Sequence, residues 1–127
     1  MFRNKARLFA ASLVLAAASP ALAHEAVKGP NGGHVMEVSG YHIEFVPSQT
    51  EVTFYLSDQA GKPIASKGTK AKVFVQDGGK TTPLQLTPTD PDKLTAKLAA
   101  PLVSGAKVAV TATMPDGHNL QARFVLP

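Results

Sequence analysis

The chain has 127 residues, with 13 Lys plus Arg against nine Asp plus Glu, four His and no Cys, for a formal charge of +4. The lack of cysteine excludes a disulfide framework and any thiolate metal centre. Arg3, Lys5 and Arg7 fall in the first seven positions, so the remainder is close to neutral. It offers no case for nucleic acid or another polyanion as partner.

The first 23 residues read as an export signal. A basic start is followed by an apolar run over residues 8–18, and Ala21-Leu22-Ala23 supplies the small-x-small cleavage pattern. The run is shorter than the roughly 20 residues that a membrane-spanning helix needs. No cysteine follows the cut for lipid attachment. The expected product is a soluble periplasmic protein, exported through the Sec route without a membrane anchor and beginning at His24. Its 104 residues make one domain with a single core.

Residues 24–33 are polar and rich in Gly and Pro, which predicts an irregular arm ahead of a domain over 34–127. From there, short alternating runs are separated by turn residues, with no helical period. Residues 34–38 and 41–47 are strand-like, joined by Ser39-Gly40, a two-residue hairpin connection. Val52, Phe54 and Leu56 alternate with Thr53, Tyr55 and Ser57. Ala71, Val73 and Val75 share a face, then Asp77-Gly78-Gly79-Lys80 turns the chain towards Leu84 and Leu86. The segment Thr87-Pro88-Thr89-Asp90-Pro91-Asp92 reads as a proline-stiffened loop. Further strands carry Leu94, Ala96 and Leu98, then Val108, Val110 and Ala112, and after Pro115-Asp116-Gly117 come Leu120, Ala122, Phe124 and Leu126. About seven or eight strands at this spacing predict an all-β fold, an antiparallel immunoglobulin-like β-sandwich preceded by a signal-peptide helix.

Three of the four histidines fall between residues 24 and 44, which raises metal binding. A terminal histidine presents an α-amine and an imidazole, which titrate at about pH 8 and about 6.5 in unstructured chains, so both are available as nitrogen donors near neutrality. Such donors suit Cu(II), Ni(II) and Zn(II), with copper highest in affinity. The candidate metal ligands are therefore His24, with a third donor from His34, His42 or His118, and Glu44 beside His42 on the outward face of its strand. Register decides part of this. A tight Ser39-Gly40 turn pairs Val38 with Tyr41, Met36 with Ile43 and His34 with Phe45, sending His34 and Met36 to the core side and away from His42; a bulge reverses that. Each of these residues also has a plainer role: the histidines as half-buried strand residues, Met36 and Met114 as core fillers, and Glu44 with His42 as a solvated outer pair.

No catalytic site is expected, because no paired carboxylates or nucleophile with its base can be assigned. Gly29-Pro30-Asn31-Gly32-Gly33 is a turn and not a phosphate loop, since no Gly-Lys-Ser/Thr follows and no helix opens behind it.

The run Gly-Pro-Asn-Gly-Gly-His-Val-Met-Glu-Val-Ser-Gly-Tyr-His-Ile-Glu-Phe-Val from Gly29 to Val46, with Val52 to Ile64 and the ending from Pro115 to Phe124, resembles small exported bacterial proteins associated with heavy-metal efflux. It is also similar to the Gly-Pro-x-Gly-Gly segment near the N-terminus of periplasmic adaptor subunits of metal-exporting resistance-nodulation-division pumps. The resemblance implies periplasmic binding or delivery of copper or another divalent ion, with a periplasmic efflux adaptor as partner. Residues 29–33 and His42 match the shared pattern. The chain departs from it in keeping only His24-Glu25 of a longer histidine-rich arm, which argues against high-capacity buffering. The competing reading is a metal-free interaction module that docks to an adaptor through a sheet edge or the outer face around His42 and Tyr55.

Overall fold

The computed structural model describes residues 27–127; the segment read as an export signal and His24 lie outside the described residues. The described chain forms nine strands: β1 (Val27–Lys28), β2 (His34–Val38), β3 (Tyr41–Pro47), β4 (Glu51–Asp58), β5 (Lys70–Asp77), β6 (Lys80–Thr89), β7 (Lys93–Lys97), β8 (Lys107–Thr113) and β9 (Asn119–Val125), with alternation of apolar and polar residues cleanest in β5, β8 and β9. They form one antiparallel sheet in the order β1-β2-β3-β4-β7-β6-β5-β8-β9. The sheet curls until β2 runs alongside β9. The arm expected to be irregular contains β1, since Val27 pairs with Val35 and Lys28 with His34.

The long strand β6 makes the curl possible. Its first part pairs with β5, from Asp77 opposite Lys80 to Ala71 opposite Leu86. Its last part pairs with β7, Thr87 with Thr95 and Thr89 with Lys93. Residues 87–89 are thus strand, where the sequence suggested a loop. Each part of β6 keeps one free edge, so Pro83 and Pro88 can lack an N–H without breaking the ladder on the paired side.

Residues on the concave side fill the core. Phe45, Phe54 and Phe124 meet at ring-centroid distances of 5.2 Å, 5.1 Å and 6.0 Å, within the range in which aromatic pairs add about 0.5–1.5 kcal/mol beyond their burial. Val52, Val73, Leu94, Val110 and Leu120 close around them, and Met114 plugs one end. The crossing from β4 to β5 is stitched down by the fully buried Ser66. Its Oγ donates to the Thr89 carbonyl and its N–H to that of Pro91, while its own carbonyl accepts from the Thr69 N–H.

The β2–β3 hairpin has the tight register: His34 opposite Phe45, Met36 opposite Ile43, Val38 opposite Tyr41. Ser39 and Gly40 sit at φ 51° and 83°, as a type I′ turn requires at both central positions. That turn fixes which face every later side chain of the hairpin takes.

Candidate functional site

Strand parity divides the candidate ligands. Ile43 and Phe45 point into the core, so His42 and Glu44 point to the opposite, outer side of β3. His34, opposite Phe45, lies on the core side of β2 and lines a hollow of about 280 Å³ with Phe45, Val46 and Leu126. His34 and His42 therefore occupy opposite faces of the sheet.

Glu44 is outward in direction and yet only 4% exposed. The solvated pairing with His42 suggested by strand alternation does not describe it. The segment from Gly29 to Gly33 folds over it as a hairpin loop. The Gly32 N–H donates to the Gly29 carbonyl at 3.0 Å and the Gly29 N–H to the Gly33 carbonyl at 2.8 Å. Pro30 sits at the position where a fixed φ is useful, and Gly32 takes φ 82°, the arrangement of a type I turn closed by a bulge glycine. Such a loop turns backbone N–H groups inwards, and they need acceptors. Glu44 supplies them: one carboxylate oxygen accepts from Asn31 N–H at 2.9 Å and Gly33 N–H at 2.8 Å, and the other from the Asn31 side-chain amide at 3.0 Å. Among the described residues, its side-chain bonds all run to donors of the arm, so Glu44 acts as a clamp.

The glycines at either end permit this closeness. A Cβ on Gly29 would collide with the Glu44 carboxylate and Val35, and one on Gly33 with the Phe45 carbonyl oxygen and Val46. The Gly-Pro-x-Gly-Gly pattern is thus explained by packing against Glu44 and β3.

His42 faces Glu37 across the hairpin, with Nε2 4.0 Å from a Glu37 carboxylate oxygen. His42, Asn31, Tyr55, Ser57, Pro63 and Asp92 border a hollow of about 150 Å³. His118 belongs to another pair. Its Nδ1 lies 2.9 Å from Asp116 Oδ2, its N–H donates to Asp116 Oδ1 at 3.0 Å, and its ring stands 6.1 Å from that of Tyr41. The β8–β9 turn and the β2–β3 turn thus occupy the same end of the molecule. The His118 backbone N–H, and then its ring, hold the Asp116 carboxyl below its usual value of 3.8.

Among the described residues no three His, Asp or Glu side chains converge on one point. The donors come in pairs, His42 with Glu37 and His118 with Asp116, and an N/O site for copper or zinc needs at least one more. His24, the remaining sequence-predicted donor, lies outside the described residues. The sequence reading missed the clamp role of Glu44. The available signal was a loop rich in N–H donors preceding a strand with a carboxylate on its outer side. Comparison with family models, curated proteins and solved structures finds no match to this chain.

Proposed function

We propose that this chain is an exported periplasmic protein that binds and delivers a divalent metal ion, copper favoured, in metal efflux, with an efflux adaptor as its partner. The observation that carries the reading is the Glu44 clamp. By fixing Gly29 to Gly33 it holds β1 against β2, with Val27 opposite Val35. Three peptide units separate His24 from Val27, so its Cα is tethered within about 11 Å. From Val27, ladder spacing puts Glu37 at about 8 Å and His42 at about 12 Å, Cα to Cα.

The proposed donors are the His24 amine and imidazole, the His42 imidazole and the Glu37 carboxylate. His34 faces the core side, Glu44 is committed to the arm, and His118 is engaged with Asp116, so this reading leaves those three out of the coordination sphere. The chemistry supplied is reversible capture by nitrogen donors, and no enzymatic step is assigned. The finer architecture we assign to the curled sheet is an immunoglobulin-like sandwich in which β6 passes from one layer to the other.

Calorimetric titration of Cu(II) and Zn(II) into the chain starting at His24 tests the proposal. Removal of His24, or His42→Ala, is expected to weaken binding at least tenfold, whereas His34→Ala leaves it unchanged. Equal affinity with and without His24 would remove the terminal chelate. No uptake by the parent would leave the metal-free docking module, to which the hollow beside His42 and Tyr55 is suited.

A further inference from the structure

We propose that the outward face of β5, β6, β8 and β9 is a docking surface for an extended acidic segment of a partner protein. The inference is independent of metal binding. The near-neutral composition conceals a segregation of charge that appears only when the strands are paired. Alternation sets Lys70 and Lys72 of β5, Lys107 of β8 and Arg123 of β9 on this face, all exposed. None of its outward positions is Asp or Glu. The acidic residues of the described chain lie on the other half of the sheet or in its turns, with Asp77 paired to Lys80 at one turn and Asp116 held by His118 at another.

This outward face carries an indentation that spans β6, β5, β8 and β9. A hollow of about 350 Å³ is lined by Lys70, Lys72, Gln85, Thr111, Asn119 and Gln121. Lys70 and Lys72 are two residues apart on one strand, so their side chains emerge about 6.5–7 Å apart, the interval at which an extended peptide presents every second side chain. An alternating Glu-x-Glu segment meets both ammonium groups at once. Gln85, opposite Lys72 on β6, and Gln121, beyond Thr111 on β9, carry amides that both donate and accept, which suits exposed peptide groups. The one aromatic on this face, Phe74, lies outside the hollow, so sugar rings and bases would find no stacking platform in it.

The test is amide chemical-shift mapping of the isotopically labelled chain with an acetyl-(Glu-Thr)n-amide peptide of about eight residues. Shifts confined to β5, β6, β8 and β9 are expected, and the affinity should fall as salt rises from about 0.05 M to about 0.5 M. The double variant Lys70→Glu/Lys72→Glu should lose at least tenfold in affinity with its thermal midpoint unchanged. Lys93→Glu/Lys97→Glu, on the other half of the sheet, should retain it. Three results would overturn the proposal: no shifts at millimolar peptide, equal losses in the two double variants, or tighter binding to phosphatidylglycerol vesicles than to the peptide.

Discussion

Replacing Glu44 separates a clamp from a solvated surface carboxylate. In Glu44→Ala the N–H groups of Asn31 and Gly33 and the Asn31 side-chain amide lose their acceptor together. A hydrogen bond to a charged group contributes about 1.5–3 kcal/mol net, but the arm can lift away and recover water, which caps the loss at the cost of local opening. The expected destabilisation is about 2–4 kcal/mol in urea unfolding. Glu44→Gln is milder. Its carbonyl oxygen can stand in for the oxygen that serves both backbone N–H groups, and a flip of the Asn31 amide lets the new NH2 donate to Asn31 Oδ1. Only charge assistance is lost, about 1 kcal/mol. Hydrogen exchange reads the same event locally, with the Asn31 and Gly33 amides protected in the parent, partly in Gln and not at all in Ala. Glu44→Ala within about 0.5 kcal/mol of the parent, the range of an ordinary surface change, together with unprotected amides in the parent, would refute the clamp.

Other consequences are as direct. Gly33→Ala drives a methyl group into the Phe45 carbonyl oxygen and Val46, and should cost about 2–3 kcal/mol; Gly32→Ala, where φ is 82° and no atom lies within 4 Å, should cost about 1 kcal/mol from backbone strain alone. Phe54→Ala opens the aromatic cluster and should lose about 3–5 kcal/mol in the same unfolding assay. The Asp116 carboxyl, followed by NMR, should titrate below 3.8. Because folding lowers its value, any contribution it makes to stability is present above the unfolded value and disappears as pH falls through the folded one. His118→Ala should raise the midpoint only partway, since the backbone N–H of residue 118, the larger cause, remains.

Much of the fold could be read from local alternation. The β2–β3 register followed from Ser39-Gly40, because a two-residue turn with both φ values positive leaves no room for a slip. What alternation could not supply was the order of the strands around β6. Pro88 reads as a breaker, and only the change of neighbour from β5 to β7 makes it compatible with a strand. The site was legible to a smaller extent. Opposite faces for His34 and His42 came with the register, whereas burial of Glu44 depends on a loop ten or more residues earlier in the chain folding back over the outer side of β3. Strand parity says which way a side chain points, and not whether something else covers it. The same holds for the basic face, whose cations are scattered in sequence from Lys70 to Arg123 and are gathered only by the pairing of β5 with β8 and β8 with β9.

The most direct measurement of the proposed metal site is pulsed electron paramagnetic resonance on the Cu(II)-loaded chain beginning at His24, which counts the imidazole nitrogens on the ion. Two imidazoles are expected in the parent and in His34→Ala, and one in His42→Ala. An unchanged count in His42→Ala, or a drop in His34→Ala, would contradict the assignment of the site to the outer face of the β2–β3 hairpin.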